Sequence, residues 1–398
     1  MKFLTRPTEV VDDPLRYDPT SVWLSPEVSL WGWGEAVRIN PGPGPERIDV
    51  IRDGFARVLA GADIHDSLGL EGTGPVLFAS SVFADGSAGS VAVVPRVVLG
   101  RRGDTWWVTS VEDAALPTRP VPEPPPDRAR YAGSSAPDVM WLESVAEAVR
   151  RIDAGELDKV VLARDYAVWS REAFHPPRLL RHLHRLFPAC HVFRVADLVG
   201  ASPELLVRRR EAKLESLVLA GSAPTYSDPE ADRVAARALL VSEKDRWEHE
   251  LAVRSVRSSL IDVCREIDIP PQPTLLRLDN VQHLATPVTA RLTDGADALA
   301  LAGRLHPTAA VGGTPTPDAV ALIAEIEGMD RGRYAGPVGW MDARGDGEFA
   351  IALRCAELSG ARARLFAGAG IVTGSLPEAE LEETRIKLQA MMGSLRPD

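Results

Sequence analysis

The amino-acid sequence predicts an α+β fold with antiparallel sheets. Segments with the features of β-strands come in clusters, and they do not alternate one by one with helices as they would in a Rossmann fold. Four such segments follow one another with only short loops between them, and short loops imply antiparallel pairing. They are His191–Ala196, Leu198–Ala201, Leu205–Arg209 and Lys213–Leu219.

A proline-rich segment divides the chain into two portions. Six prolines lie between Leu116 and Asp127, and they favour an extended connector over a helix or a central strand. We therefore assign residues 1–116 to a β-rich N-terminal portion, 117–127 to the connector and 128–398 to a C-terminal portion, and we expect one integrated domain. Before the connector, runs between glycine-rich turns predict strands at Pro75–Ser81, Ser90–Leu99 and Asp104–Ser110.

The C-terminal portion carries both helical and strand patterns. Apolar residues from Val139 to Ile152 recur at helical spacing, and Ala154-Gly155 ends that pattern. Asp228-Pro229-Glu230 combines an N-cap residue, a first-turn proline and an acid, which predicts a helix running to about Glu266. Further helices are predicted at Arg178–Phe187, Pro317–Gly328 and Glu378–Met392, and further strands at Lys159–Trp169, Val338–Asp342, Glu348–Glu357 and Ala363–Ala367.

Composition excludes several classes of protein. The 398 residues are 45% hydrophobic and 25% charged, as in ordinary globular proteins. No apolar run is long enough for a membrane span, and the first residues lack a secretory signal. Three widely spaced cysteines suit reduced thiols, so we expect a cytoplasmic protein. A net charge of −11 argues against nucleic-acid binding, and an anionic substrate would need local cations or a metal.

Two residues are candidates for acid–base chemistry. Lys159 begins the apolar strand Lys159–Trp169, where it either lies at a solvated strand end or is desolvated enough to act as a general base. Glu204 ends the small-residue turn Gly200-Ala-Ser-Pro-Glu204. It is either a surface acid in a β-turn or a carboxyl held dry enough to stay protonated and act as a general acid.

Two helices present carboxylates on one face. Glu248 shares the packing face of Leu251, Ala252 and Val256, and Glu380, Glu383 and Lys387 are spaced by three and four residues. These charges either lie on solvated helix faces with i,i+4 pairs or face one cleft. In a shared cleft they would suit Mg²⁺, which takes one or two protein carboxylates together with waters and substrate oxygens.

The remaining candidates concern anion binding. Gly368-Ala369-Gly370 follows a strand and lacks the spacing of a dinucleotide site, but its backbone N–H groups are able to approach an anion. Arg354 lies in an apolar run and suits bidentate binding of a carboxylate. Both also have a purely structural interpretation, as a tight turn and a strand-edge arginine. The sequence contains neither His-Glu-x-x-His nor Gly-x-Ser-x-Gly, which lowers the odds of a zinc protease or an α/β-hydrolase.

In one fixed order, short segments of this chain resemble the chorismate-utilising enzymes. That family comprises isochorismate synthases, salicylate synthases and the large subunits of anthranilate and aminodeoxychorismate synthases. The resemblance is strong from Pro137 to the C-terminus and weak before the connector. The segments are Lys159-Val-Val-Leu-Ala-Arg164, Gly200-Ala-Ser-Pro-Glu-Leu-Leu206, Leu219-Ala-Gly-Ser222, Ser242-Glu-Lys-Asp-Arg246, Glu248-His-Glu250, His283-Leu-Ala-Thr-Pro287, Leu305-His-Pro-Thr308, Tyr334-Ala-Gly-Pro-Val-Gly-Trp340, Arg354-Cys-Ala356, Leu365-Phe-Ala-Gly-Ala-Gly-Ile-Val372 and Glu383-Thr384.

The resemblance implies a fold and a reaction. The fold is a large antiparallel β-sandwich flanked by helices. A lysine at the position of Lys159 marks the water-using members of the family, and Ala220 stands where aminodeoxychorismate synthases carry a nucleophilic lysine. The implied activity is that of an isochorismate synthase, an isomerase in which water attacks C2 of chorismate and the C4 hydroxyl leaves. No amidotransferase subunit is expected, a monomer is expected, and the product would serve menaquinone or siderophore synthesis.

The resemblance also implies roles for individual residues. Lys159 would be the base and Glu204 the acid. Mg²⁺ would be held by Glu248 and Glu383, with Glu380 assisting. Substrate contacts would come from Gly221, Ser222, His283, Ala310, Val311, Arg354, Ala369, Gly370 and Lys387.

Some positions depart from the family pattern and leave the product open. Val218 stands where proline is usual, Trp247 stands where histidine is common, and the loop Ala309–Gly313 differs from its usual form. A salicylate synthase, which eliminates pyruvate from isochorismate, is therefore the nearest alternative. A non-catalytic binding protein of the same fold and an unrelated metal hydrolase are more distant ones.

Overall fold

The structure is a computed structural model that describes residues 1–124, 129–279, 281–293 and 295–395. The predicted end of the connector at Asp127 and the start of the C-terminal portion at residue 128 lie outside these ranges. The strands are β1 (Lys2–Pro7), β2 (Ser21–Leu24), β3 (Ser29–Trp33), β4 (Val37–Ile39), β5 (Asp63–Asp66), β6 (Val76–Ser80), β7 (Val91–Val94), β8 (Val97–Arg102), β9 (Thr105–Val111), β10 (Arg130–Gly133), β11 (Lys159–Trp169), β12 (His191–Val195), β13 (Leu198–Ser202), β14 (Leu205–Arg210), β15 (Lys213–Pro224), β16 (Cys264–Asp268), β17 (Thr274–Arg277), β18 (Val281–Leu292), β19 (Gly313–Thr314), β20 (Pro337–Asp342), β21 (Gly347–Ile351), β22 (Cys355–Ser359) and β23 (Arg362–Ile371).

The helices lie between and outside the strands. They are α1 (Arg47–Ala60), α2 (Asp138–Asp153), α3 (Pro176–Leu186), α4 (Pro229–Val241), α5 (Glu243–Leu260), α6 (Ala298–Leu305), α7 (Thr316–Ile326) and α8 (Pro377–Ser394), with one 3₁₀ turn at Pro14–Tyr17. Among the described residues, no helix is both long enough and apolar enough to cross a membrane.

Two large sheets form the body of the protein. The first runs β10-β11-β23-β22-β13-β12-β2-β3-β8-β9-β1-β5, with β19 beside β11, and the second runs β16-β18-β15-β14-β21-β20-β6-β7-β4, with β17 beside β18. Neighbouring strands pair antiparallel, and the pair β1–β5 is parallel. The predicted α+β fold with antiparallel sheets is therefore confirmed.

Strands from residues 1–116 complete both sheets. In the first sheet β2 pairs with β12, and in the second β6 pairs with β20. The largest hydrophobic cluster combines side chains of both sheets, among them Trp23 and Phe193 from the first with Phe78 and Phe349 from the second. The indole N–H of Trp23 also donates across this interface to Glu348, at 2.8 Å.

Three predicted elements are wrong because a break went unrecognised. The helix predicted from Asp228 to Glu266 is two helices, since Ser242 takes an extended conformation and caps α5 by accepting from the Asp245 N–H. The predicted end is wrong as well, because α5 ends at Leu260 and Glu266 lies in β16. The strand predicted at Glu348–Glu357 is β21 in the second sheet followed by β22 in the first. The chain changes sheets at residues 352–354, where Arg354 has a φ of +46°.

The predicted strand Ser90–Leu99 is likewise divided, into β7 and β8, at Pro95 and Arg96. Proline lacks the N–H needed inside a ladder, so it separates strands of different sheets here. The other predicted strands and helices are present, and β15 and β23 continue past their predicted ends. Those continuations, Ala220–Pro224 and Gly368–Ile371, both reach the candidate site.

Candidate active site

Most of the predicted site residues surround one narrow cavity. It has a volume of about 60 Å³. Both sheets and the helices α5 and α8 contribute to its wall. The lining residues are Val161, Pro203, Glu204, Leu219, Ala220, Gly221, Ser222, Glu248, His283, Ala310, Val311, Tyr334, Leu353, Arg354, Gly368, Gly370, Glu383 and Lys387.

Three predicted residues are not part of this lining. Lys159 lies directly behind Glu248, and Glu380 is buried beside Lys244. Ala369 is fully buried in the main hydrophobic cluster, although its neighbours Gly368 and Gly370 line the cavity. A larger cleft of about 580 Å³ lies beside α3, but it contains none of the predicted site residues.

The register of β11 and β23 places Lys159 beside Gly370. Gly370 of β23 pairs with Val161 of β11, which lies two residues along the strand from Lys159. The Lys159 Nζ lies 3.1 Å from the Glu248 Oε1 as an ion pair, without the alignment of a hydrogen bond. A Cβ on Gly370 would overlap the Glu248 carboxylate and lie 3.3 Å from the Lys159 Cε. Glycine at 370 is therefore what lets the carboxylate reach the lysine.

Glu204 is a carboxyl in a dry environment. It follows β13, its backbone N–H donates to the Ser202 hydroxyl at 3.2 Å, and its side chain is buried. Burial raises the pKa of Glu204 to about 8, outweighing the lowering effects of Lys159, Lys387, Arg354 and a backbone hydrogen bond from Leu219. The carboxyl is thus protonated at neutral pH and is able to donate a proton.

Arg354 is a buried cation that pairs with no carboxylate among the described residues. Its guanidinium donates to the His283 Nε2 at 3.1 Å. Burial, together with the charges of Arg354 and Lys387, holds the pKa of His283 well below its usual range. The neutral imidazole therefore accepts from Arg354, and the arginine's charge is left for an anion inside the cavity.

A bulge in the antiparallel pair β15–β18 shapes the opposite wall. The register shifts between Ala220 and Ser222, where Gly221 has a φ of +74°. The shift brings Ser222 opposite His283 and lets the Ser222 hydroxyl donate to the Glu383 Oε1 at 2.8 Å. The strand thus carries its polar side chain to the carboxylate of α8.

Three carboxylates near the cavity are each balanced by a lysine. Glu248 pairs with Lys159 at 3.1 Å, Glu380 with Lys244 at 2.6 Å and Glu383 with Lys387 at 2.6 Å. Burial and the neighbouring charge of Glu383 raise the pKa of Glu380. Burial acts in the same direction on Glu383, but its pKa is lowered because Lys387 and Ser222 stabilise the carboxylate.

The fit to Mg²⁺ rests on the donor set. As the side chains stand, no three His, Cys, Asp or Glu residues in the described ranges are close enough together to form a metal site. Glu248 and Glu383 nevertheless reach one cavity from α5 and α8, and two carboxylates are what Mg²⁺ takes from a protein. They are the residues that would hold the ion, whereas Glu380, outside the cavity lining, is less suited to direct contact.

Comparison with known proteins decides the family. The family model described as chorismate binding enzyme matches residues 110–396. The chain belongs to this family. As a chorismate-binding enzyme it is 35% identical to the salicylate biosynthesis isochorismate synthase of Pseudomonas aeruginosa, over 96% of this chain and 85% of that protein. It is 41% identical to the putative isochorismate synthase MenF of Mycobacterium tuberculosis, over 81% of this chain and 87% of that protein.

Solved structures of family members share the fold. The menaquinone-specific isochorismate synthase MenF of Escherichia coli superimposes with a TM-score of 0.84 at 25% identity, over 99% of this chain and 94% of that one. The putative 2,3-dihydroxybenzoate-specific isochorismate synthase DhbC of Bacillus anthracis gives 0.81 at 29% identity, over 95% and 96%. These matches confirm the resemblance first seen in short motifs.

Tyr334 in the cavity lining and Lys244 next to Glu380 were not predicted for this chorismate-binding enzyme. Tyr334 lines the cavity and stacks on Phe366, with 5.0 Å between ring centroids. It begins one of the matching segments, so the sequence carried a signal for it. Lys244 lies in the matching segment Ser242-Glu-Lys-Asp-Arg246, but its ion pair with Glu380 is apparent only in three dimensions.

Proposed function

We propose that this chorismate-binding enzyme is an isochorismate synthase that requires Mg²⁺. The observation that carries the proposal is one cavity that combines a protonated acid, Glu204, with a buried cation, Arg354, which pairs with no carboxylate in the described ranges. The same cavity lies beside the buried amine of Lys159. Relatives that match most of the chain are themselves named isochorismate synthases. A dianionic substrate and an acid–base pair are what the conversion of chorismate to isochorismate demands.

The proposed reaction consumes one water and releases one. Lys159 takes a proton from the water that attacks C2 of chorismate, the ring double bonds shift, and the bond from C4 to its hydroxyl breaks. Glu204 gives its proton to the departing hydroxyl, which leaves as water. The product is an isomer of the substrate, and a proton transfer from Lys159 to Glu204 restores both groups.

Substrate binding would rest on side chains that face the cavity. Arg354 and Lys387 supply positive charge for the two carboxylates, and the neutral His283 keeps the guanidinium in place. The bound Mg²⁺, held by Glu248 and Glu383, would supply further positive charge to the ring carboxylate. Glu248 touches both the cavity and Lys159, so rotation of its carboxylate into the cavity would release the lysine amine.

Product analysis tests the proposal directly. Purified protein is incubated with chorismate and Mg²⁺, with an EDTA-treated sample as control, and the products are separated and identified by NMR. Isochorismate formed only in the Mg²⁺ sample is the expected result. Salicylate together with pyruvate would identify a salicylate synthase and overturn the proposal. Absence of turnover by folded, Mg²⁺-loaded protein would indicate a binding protein.

A further inference from the structure

A buried ion pair outside the cavity joins two parts of its wall. The side chains of Arg331 and Glu327 are 3% and 1% exposed, and they form contacts of 2.5 and 2.7 Å. The same guanidinium donates to the Val161 carbonyl at 2.6 Å and to the Val311 carbonyl at 2.8 Å. Val161 and Val311 both line the cavity, whereas Arg331 and Glu327 do not.

The ion pair of Arg331 and Glu327 binds the backbone of β11 on a stretch of one edge where the structure describes no neighbouring strand. One edge of β11 pairs with β23 along its length, but the other edge meets β19 only at Lys159 and Val160 and meets β10 only from Ala167 onward. Between those points the structure describes no strand neighbour. Here Val161 binds Gly312 and Arg331, and the Ala163 N–H donates to the Glu327 carboxylate at 2.8 Å.

The same pair fixes the loop 309–313. The Val311 carbonyl accepts a hydrogen bond from the Arg331 guanidinium, and the Val161 N–H donates to the Gly312 carbonyl at 2.8 Å. Arg331 also lies over the Phe83 ring, 4.2 Å from its centroid. One fork-shaped cation is thus held from several sides, a geometry that the single nitrogen of lysine does not reproduce.

We infer that Arg331 and Glu327 are positioning residues for the proposed isochorismate synthase reaction. They fix the strand that carries Lys159 against the loop that carries Val311, and so set the distance between the base and the cavity wall that faces the substrate. This inference rests on the proposed function for its catalytic consequence. Substrate affinity depends on Arg354 and Lys387, which form no hydrogen bond or ion pair with Arg331 or Glu327 in the part of the chain that the structure describes. Turnover and binding therefore respond differently to loss of the pair.

The test compares Arg331→Lys and Arg331→Met with Arg333→Lys and Arg333→Met. Arg333 is a matched control, because it is also buried but bonds Asp197 and the Val195 carbonyl instead of β11. We expect Arg331→Lys to fold and to lower kcat about 10- to 100-fold, as for a displacement of about 1 Å. KM for chorismate should change less than about threefold. The Arg333 variants should keep kcat within about threefold.

Hydrogen exchange supplies a readout that is independent of catalysis. Amides of residues 159–163 and 309–313 should exchange faster in Arg331→Lys and Arg331→Met, and keep wild-type rates in the Arg333 variants. If Arg331→Met fails to fold, the double change Glu327→Gln with Arg331→Met removes both charges together and gives the same comparison.

The outcomes separate the inference from the proposed function. Wild-type protein that makes no isochorismate contradicts the proposed function. Amide hydrogen exchange of residues 159–163 and 309–313 then still shows whether Arg331 and Glu327 hold these segments in place. Active wild-type protein with normal kcat in folded Arg331→Lys overturns the inference. Equal losses in the Arg331 and Arg333 variants, or a loss confined to KM, also overturn it.

Discussion

Lys159 and Glu248 form an ion pair, with 3.1 Å between Nζ and Oε1, at a point where the lysine is sealed from solvent and the glutamate faces the cavity. The pair joins the strand β11 to the helix α5. A carboxylate in this position either balances the lysine or serves a ligand in the cavity, and the same oxygen does not do both. The resting arrangement therefore keeps the lysine bound to the glutamate until the glutamate turns.

Replacing Lys159 by alanine should remove the base and leave the fold intact. Glu248 lines the cavity and its side chain is 11% exposed, so its carboxylate is able to turn toward the cavity when the lysine is absent. We expect turnover of chorismate to fall on the order of 10²–10⁴-fold, the contribution of a general base. Steady-state assays with circular dichroism measure both properties, and Lys213→Ala, at an exposed lysine paired with Glu215, is the control. Near-normal turnover would refute the assignment of Lys159 as the base.

The pH profile should report the protonation of Glu204. Its pKa is raised to about 8, so the carboxyl keeps its proton below that pH and loses it above. An acid that must donate a proton is lost as it ionises, and kcat/KM should therefore fall about tenfold for each pH unit well above 8. Glu204→Gln should lose most activity together with this alkaline limb. A flat kcat/KM profile between pH 7 and 9.5 would remove Glu204 from the acid role.

The fold was predictable where local chemistry marks each boundary. Asp228 and Pro229 predicted the start of α4 correctly, because the preferences of N-cap and first-turn residues depend only on the few residues around them. Ser242 also caps a helix, yet it lies inside a continuous helical pattern, and periodicity alone did not distinguish a cap from an interior serine. The break at Arg354 was missed for a related reason, since apolar residues on both sides suit burial in either sheet.

The site was less accessible to prediction from single residues. Lys159 and Glu204 each had a structural and a catalytic interpretation, and only the ordered set of family segments favoured the catalytic one. Contacts such as Ser222 with Glu383 join residues far apart in the chain, so spacing carries no information about them. Arg331 shows the same limit, because its two backbone acceptors belong to separate elements.

Changing carboxylates on α8 should separate a metal ligand from its neighbours. Glu383 faces the cavity, Glu380 is held outside it by Lys244, and Glu382 lies exposed beside Arg385. We expect Glu383→Gln to raise the Mg²⁺ concentration for half-maximal activity by about tenfold or more. Glu380→Gln should have a smaller effect and Glu382→Gln none.

Calorimetric titration of Mg²⁺ into each α8 variant checks the ranking without reliance on turnover. An unchanged titration in Glu383→Gln would exclude that residue from the metal site. Equal shifts in Glu383→Gln and Glu382→Gln would instead indicate a general effect of helix charge.

Gly370→Ala should disrupt the site through one methyl group. The added Cβ would overlap the Glu248 carboxylate, and the backbone at Gly370 is fixed by its pairing with Val161 between β23 and β11. The carboxylate must therefore move, which breaks its contact with Lys159 and displaces a candidate Mg²⁺ ligand at once. We expect turnover to fall about 100-fold, as for a displacement of about 1 Å among catalytic groups, with little change in melting temperature. Gly42→Ala is the control, because a Cβ there meets no atom within 4 Å. Wild-type turnover in folded Gly370→Ala would show that Glu248 need not occupy this position during the reaction.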